Sequence, residues 1–261
     1  MNKNYKYIKV NVQDYILNII LDRPQKKNAL HPVMIREIQD VFELYENESQ
    51  YRVILLSSHS DVFCSGADIK YLEKIKDYSY DDNLSDSRQL MNLFKTMLSY
   101  SKLIVSKVSG AAIAGGCGII TASDIVFATN NSTFGYPEVK IGFIPALVST
   151  FLIQKIKGLD VRELLLTGNI INAKRAKEIG LINYIYNSKE IDVEVNHFIE
   201  KFTRTTSPHS IEKTKKLLYL SLDLENNLNK AAEFNAKSRT HPDFQKGIVD
   251  FLNKQSTNWR I

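Results

Sequence analysis

Apolar residues change their spacing along this chain in a regular way. Two runs near the start, YKYIKVNV (5–12) and YILNIIL (15–21), read as strands joined by Gln13-Asp14. DRPQKKNAL (22–30) reads as a loop. From about Pro32 to Tyr45 the pattern turns helical, with Ile35, Ile38, Val41, Phe42 and Tyr45 on one face. RVILLSS (52–58) is a short, nearly continuous apolar run rich in branched residues, as a strand buried on both faces should be. The loop HSDVFCSGAD (59–68) follows. A polar interval, IKDYSYDDNLSDS (75–87), then leads into the periodic helix RQLMNLFKTMLSY (88–100).

KLIVSKVSG (102–110) is the next buried strand, and the glycine-bearing stretch AAIAGGCGIITASD (111–124) comes directly after it. DIVFAT (124–129) is another strand. Beyond it lie a short extended piece, a turn at Tyr136-Pro137, and a helix starting near Pro145, where a missing amide does no harm. LDVRELLLTG and NAKRAKEIGL are helices ending at glycine, and INYIY is one more strand. After Asn187 the pattern stays helical to the end, with Pro208 and Pro242 as breakers. Strands alternating with helices predict an α/β layered fold over residues 1–187. The strand-free segment, 188–261, is expected to pack on that core, on a partner subunit, or on both.

Composition narrows the classes without choosing among them. The 261 residues are 44% hydrophobic and 24% charged, ordinary for a globular chain. No run of eighteen apolar residues is present, and the N-terminus lacks the apolar centre of a signal peptide. Two cysteines, Cys64 and Cys117, suit a reducing, cytoplasmic setting, and no cysteine–histidine spacing suggests a metal. Lys and Arg outnumber Asp and Glu by 34 to 29, a net charge of +5 that permits an anionic ligand without demanding one. The basic helix around Lys213, Lys215 and Lys216 is expected to be a solvated face.

Two loops invite chemistry. In VSGAAIAGGCG a buried strand runs through glycines into a helix, whose first amides lack internal partners and carry the positive end of the dipole. FCSGAD (63–68) also follows a strand and precedes a helix. Amides from the two can converge on an oxygen that becomes anionic during reaction. Neither stretch matches the dinucleotide pattern G-x-G-x-x-G or a phosphate-binding P-loop.

The blocks VFCSGADI, VSGAAIAGGCGIITASDIVFAT and TFGYPEVKIGFIP, in order and at the right separations, resemble the crotonase (enoyl-CoA hydratase/isomerase) superfamily. RPQKKNAL, ELLLTGNIINAKRAKEIGLIN and the helical C-terminus extend the likeness over nearly the whole chain. The resemblance implies a spiral of ββα units followed by a helical trimerisation region that also closes the active site. It implies an acyl thioester substrate carried on coenzyme A or on an acyl carrier protein, with no metal or redox cofactor. The expected assembly is a homotrimer or hexamer, with no membrane or nucleic-acid partner.

Carried onto this sequence, the resemblance makes the amides of Ala67 and Gly115 the oxyanion hole and Glu138 the acid/base. Backbone around Ser65, Ala67 and Ile69 should meet adenine, Gly66 is expected among the substrate-binding residues, and Lys70 either meets phosphate or is simply solvated. Gly116, Gly118 and Ala146 are expected to lie along the acyl group. Tyr136 either lines that pocket or packs, and Asp68 is better explained as a helix cap than as a ligand contact. Cys64 and Cys117 read as small packing residues.

Enoyl-CoA hydratases have a second glutamate after the cysteine of the glycine motif, and here Gly118 stands in its place. That predicts a site with one carboxylate and extra volume near the β-carbon. The finer pattern resembles methylglutaconyl-CoA hydratase-like proteins and the hydroxymethylglutaryl dehydratases of polyketide β-branching. The glycine-rich stretch expected after Pro145 is replaced by Ala146-Leu147-Val148-Ser149, which argues against an ordinary short-chain hydratase. The expectation is a hydratase or dehydratase acting on a β-branched acyl thioester through one glutamate. The alternatives are a Δ3-Δ2 enoyl-CoA isomerase using the same glutamate, and a catalytically lapsed relative that serves as a binding protein.

Overall fold

In the computed structural model, which describes residues 3–221 and 223–260, the chain distributes its strands between two sheets. β1 (Ile8–Gln13) and β2 (Ile16–Leu21) form a hairpin whose turn residues, Asp14 and Tyr15, both have positive φ, which matches the twist of the flanking strands. α1 (Pro32–Tyr45) buries Met34, Ile35, Ile38, Val41 and Phe42, the face its spacing predicts. Three ββ pairs follow: β3 (Val53–Ser58) with β4 (Val62–Cys64), β5 (Leu103–Val108) with β6 (Ala111–Ile113), and β7 (Ile125–Thr129) with β8 (Thr133–Gly135). In each, the first strand joins a six-stranded sheet and the second a four-stranded one.

The large sheet has the order β1-β2-β3-β5-β7-β10, with β10 at Tyr184–Tyr186. The small sheet has the order β4-β6-β8-β9, with β9 at Ile170–Asn172. Helices fill the connections: α2 (Ile69–Ile75) and α3 (Tyr80–Ser99) after β4, and α4 (Gly115–Ala122) after β6. A 3₁₀ turn (Pro137–Ile141), α5 (Ala146–Lys155) and α6 (Gly158–Thr167) follow β8, and α7 (Ala173–Glu178) follows β9. This is the spiral of ββα units.

The rest of the described chain is helical: α8 (Ile191–Thr205), α9 (Pro208–Leu220), α10 (Leu224–Arg239) and α11 (Pro242–Leu252). α8 lays Ile191, Val195 and Ile199 on one face of the large sheet, against Val53, Leu55, Leu103, Val105 and Phe127. The other face belongs to the main core. Every residue of β3 is therefore buried, which explains its unbroken apolar run. α10 adds Leu224, Leu228, Ala231 and Ala232 to the main core, so this segment is built into its own chain's interior.

Several expectations need correcting. α3 starts at Tyr80, inside the interval read as polar, because Ser79 and Asp82 form a capping box. Its first turns carry exposed aspartates on one side and buried Asn83 and Ser87 on the other, so apolar periodicity could not reveal them. β4, β6 and β9 have three residues each, too few for a period to register. Pro24–Lys26 forms a 3₁₀ turn within the first loop. Lys215 is buried rather than solvated, paired with Asp124 and donating to the Lys102 carbonyl at 2.9 Å.

Candidate active site

β4, β6 and β8 run parallel, with Cys64 beside Ala112 and Ile113 beside Gly135. Their carboxyl ends therefore open on one side of the small sheet. From those ends run the three segments that carry Ala67, Gly115 and Glu138.

Two amides at this edge are free. After β4 the chain bridges to Leu30: Leu30 N–H donates to the Gly66 carbonyl at 2.7 Å, and Asp68 N–H to the Leu30 carbonyl at 3.0 Å. These bonds fix the segment and skip Ala67, whose N–H has no acceptor among the described residues and whose side is exposed. After β6, Ala114 sits at φ 51°, ψ −123°, a backbone conformation that residues with a Cβ seldom adopt and that persists only where surroundings hold it. Its N–H donates to the Gly135 carbonyl at 2.8 Å. α4 then begins at Gly115, a part-exposed residue whose N–H also lacks an acceptor among the described residues. The two segments touch, since a Cβ built on Gly66 lies 3.1 Å from the Ala114 Cβ.

Glu138 stands in the 3₁₀ turn after β8, preceded by Pro137. Oε2 of its carboxyl is sealed from solvent and has no hydrogen-bond partner. Burial pushes the carboxyl up to about 7, opposed only by its own backbone N–H. A carboxyl so placed takes and gives a proton near neutral pH with little bias. A buried carboxyl oxygen without a partner is costly, and this one lies beyond the same strand ends as the two free amides.

The remaining predicted residues divide. Ser65 is part-exposed and Ile69 and Lys70 are exposed, forming an open strip beside Ala67. Asp68 is the N-cap of α2, accepting from Tyr71 N–H at 3.0 Å, and its carboxylate pairs with buried Arg23 at 2.6 Å. Burial opposes its ionisation, but Arg23 and the Tyr71 amide outweigh it and hold the carboxyl below its ordinary range. Gly116 is buried, with a Cβ there falling 2.6 Å from the Cys64 Cβ, so its bareness serves the packing of α4 on β4. Tyr136 is fully buried, and its hydroxyl meets Thr121 Oγ1 at 2.5 Å: it packs. Ala146 opens α5, half-buried against the main core. Cys64 and Cys117 are fully buried, and that burial pushes both thiols up to about 12. Among the described residues no three His, Cys, Asp or Glu side chains form a metal-binding group.

Gly118 departs from expectation. A Cβ there would lie 2.6 Å from Phe94 Cζ. The absent side chain has left no extra volume: the Phe94 ring, 1% exposed, fills the place. Nothing in the space at Gly118 favours a branched β-carbon.

The sequence pattern did not single out Leu30, Arg23 or Phe94 as neighbours of this site. Leu30 bridges Ala67, and its Cδ1 lies 2.8 Å from a Cβ built on Gly115, so it wedges between the two amide donors. The block RPQKKNAL, which holds Arg23 and Leu30, was the available signal. Nothing in the pattern of Phe94 separates it from any other core residue of an amphipathic helix.

The chain matches the sequence profile of the enoyl-CoA hydratase/isomerase family over residues 11–260. It belongs to that family. A Thermus thermophilus protein named "Putative enoyl-CoA hydratase" is 32% identical over 92% of this chain and 96% of its own. A mitochondrial Δ(3,5)-Δ(2,4)-dienoyl-CoA isomerase of Dictyostelium discoideum is 25% identical, over 97% and 90%. Among solved structures, an enoyl-CoA hydratase from Shewanella pealeana superposes with a TM-score of 0.79 at 29% identity, covering 97% and 96%. An enoyl-CoA hydratase/isomerase from Xanthobacter autotrophicus superposes with a TM-score of 0.87 at 24% identity, over 96% and 93%, and shares the fold. The chain is thus a crotonase-fold protein, and no helix among its described residues is long and apolar enough to cross a membrane.

Proposed function

We propose that the protein adds water to, or removes it from, the β-carbon of an acyl thioester, with Glu138 as its sole acid/base. The observation that carries this is the Glu138 carboxyl, its Oε2 sealed and unpartnered, at the same strand ends as the free amides of Ala67 and Gly115. In the dehydration direction, the Glu138 carboxylate takes the proton from the carbon next to the thioester. The electron pair moves onto the thioester oxygen, which the two amides stabilise. As that pair returns to form the double bond, the β-hydroxyl leaves and takes the same proton from Glu138, so one water departs and the carboxylate is restored. Hydration is the reverse.

Each direction opens with the carboxylate form. kcat/KM should therefore rise with pH through about 7 and level off above it. A bell centred on that value would instead point to a second titrating group. Acyl-CoA is the proposed substrate, with adenine against Ser65, Ala67 and Ile69 and phosphate against Lys70. The β-branched methylglutaconyl or hydroxymethylglutaryl acyl group rests on motif likeness alone. Exposed Leu217, Leu218 and Leu220 on α9, Phe234 on α10 and Leu159 and Leu166 on α6 support a trimer or hexamer, since a lone domain seldom leaves so many large apolar side chains in water. Cytoplasmic placement rests on the free cysteines.

A second reading is favoured by Phe94. It puts a phenyl ring where a second carboxylate would otherwise assist a water molecule, and one carboxylate suffices to move a proton from one carbon to another. The deciding experiment offers 3-methylglutaconyl-CoA, crotonyl-CoA, hydroxymethylglutaryl on a carrier protein, and a 3-enoyl-CoA, and follows mass and double-bond position. A shift of one water that Glu138→Gln abolishes supports the lyase. Isomerisation at constant mass supports the second reading. Binding without turnover in both wild type and variant would leave only a binding protein.

A further inference from the structure

Glu138 is not held by its own sheet alone. The carbonyl of Glu138 accepts from two consecutive amides, Gly142 N–H and, at 3.0 Å, Phe143 N–H. Whatever fixes residues 142 and 143 therefore fixes the backbone of the acid/base. That support is α11, and it is seated backbone to backbone. Gly142 has φ +68°, and a Cβ there would fall 2.3 Å from the Asp243 carbonyl oxygen. About one turn further along α11, a Cβ on Gly247 would fall 2.4 Å from both the carbonyl carbon and oxygen of Ile141. Each glycine clears a place for the main chain of the opposite segment, Gly142 for Asp243 and Gly247 for Ile141. Neither substitution can be absorbed by a side-chain rotation, because the obstructing atoms are main chain.

The rest of α11 continues the contact toward the oxyanion arm. Phe244 and Ile248 are fully buried in a small apolar cluster of their own, with Leu72 and Ile75 of α2 and the part-buried Ile141 and Phe143. The Phe244 and Phe143 rings lie 5.6 Å apart, and the Arg239 guanidinium sits 4.9 Å over the Phe143 ring. Gln245 donates to the Lys76 carbonyl, just past α2, at 2.6 Å. α2 is the helix whose cap is Asp68, next to the Ala67 amide. One helix is thus packed against both the turn that carries Glu138 and the helix that follows Ala67, through a cluster separate from the main core.

We propose that α11 is a strut of the catalytic centre and that Gly142 and Gly247 are positioning residues which set the placement and burial of the Glu138 carboxyl. This deepens the assignment of Glu138 as acid/base and rests on it. Misplacing a reacting group by about 1 Å can cost on the order of a hundredfold in rate. Adding a methyl at Gly247 forces a shift of at least that order between two main chains.

The test compares Gly247→Ala with Gly158→Ala, whose added Cβ meets nothing within 4 Å. Four properties are followed: kcat, KM, the titration of the Glu138 carboxyl by carbon NMR, and hydrogen exchange at the Gly142 and Phe143 amides. Gly247→Ala is expected to lower kcat at least tenfold with KM within threefold. It should speed exchange at both amides and move the Glu138 midpoint from about 7 toward an ordinary carboxylate. Gly158→Ala should match wild type in all four. If Gly247→Ala melts below the assay temperature, Gln245→Ala, which loosens α11 through one hydrogen bond, is expected to move the same quantities the same way by a smaller amount. A Glu138 midpoint and exchange rates unchanged in the folded variants would overturn the proposal. The carboxyl titration is read without turnover, so retention of activity in Glu138→Gln would overturn the acid/base assignment separately and leave the strut to be judged on midpoint and exchange.

Discussion

The two sheets share strands from the same ββ pairs, yet they do opposite work. The six-stranded sheet is built of long strands, most of them six residues, covered by the main core on one face and α8 on the other. Its central strands β3, β5 and β7 are buried almost throughout, and it holds none of the proposed chemistry. The small sheet has four strands of three residues, and its parallel ends deliver Ala67, Gly115 and Glu138. Unfavourable features gather there: a non-glycine residue in a rare backbone region, two amides without acceptors among the described residues and a buried carboxyl with one unpaired oxygen. Stability sits in one sheet and tolerated instability in the other, and mutations should separate the two.

The largest effect is expected at Glu138. Glu138→Gln should lower turnover by about 10²–10⁴-fold, the usual worth of a positioned acid/base. The same change should raise the melting temperature above pH 7. The native carboxyl, at about 7 against an ordinary 4.5, binds its proton more tightly than the unfolded chain does. Wild type therefore loses stability as pH rises from about 4.5 through about 7, by at most on the order of 3 kcal/mol. Glutamine carries no such loss. Melting curves of the two proteins should nearly coincide at pH 4.5 and separate by several degrees at pH 8. Equal separation at both pH values would mean that the carboxyl is not the origin of the cost.

The main core, which covers one face of the large sheet, should answer in reverse. Phe42 is fully buried in the main core, its ring 4.9 Å from that of Tyr100. Phe42→Ala should cost about 3–5 kcal/mol of stability. Turnover per folded molecule should stay within about twofold, because Phe42 belongs to α1, whose main packing partner is α3, and not to the segments that carry Ala67, Gly115 and Glu138. Denaturant titration and active-site-normalised kinetics read the two quantities independently. A tenfold fall in normalised kcat would dissolve the division between the sheets.

What could be read from the sequence divides along the same line. The large sheet was legible because its strands are long enough for apolar runs to register, and α1 because Ile35, Ile38, Val41 and Phe42 repeat at helical spacing. The small sheet was not, since β4, β6 and β9 are shorter than any period. Its site was legible only through motif likeness: SGAD and AGGCG led to the two free amides and PE to the sealed carboxyl. Likeness also misled at Gly118. It reported a missing carboxylate correctly, but what fills the space is Phe94, supplied by a helix twenty-four residues earlier, and such complementation is three-dimensional. The seating of Gly247 on Ile141 was invisible for the same reason.

Gly118 offers a test between these extremes. Gly118→Glu puts a carboxylate at the position of the family's second glutamate, but against the Phe94 ring. It should destabilise by about 1–3 kcal/mol or more through overpacking and give no gain in hydration. Phe94→Ala alone should cost about 3–5 kcal/mol. Combined, the two should cost less than their sum, since each relieves the strain of the other. Simple additivity would mean that the ring and the glycine do not compete for one space.

The smallest expected effect compares one exposed lysine from each region. Lys70 lies on α2 in the open strip beside Ala67, whereas Lys9 lies on β1 at the edge of the large sheet, paired with Asp22 at 2.9 Å. Exposed pairs of this kind are worth about 0–1 kcal/mol, and salt screens them. If Lys70 meets a substrate phosphate, Lys70→Ala should raise KM for a coenzyme A ester by about two- to fivefold at low ionic strength, leave kcat alone, and lose the effect as salt is raised. Lys9→Ala should change neither constant. The same comparison with a short pantetheine thioester, which lacks the nucleotide phosphates, assigns any effect: a KM change that persists there would come from the loop around Ala67, and one that vanishes would come from phosphate binding.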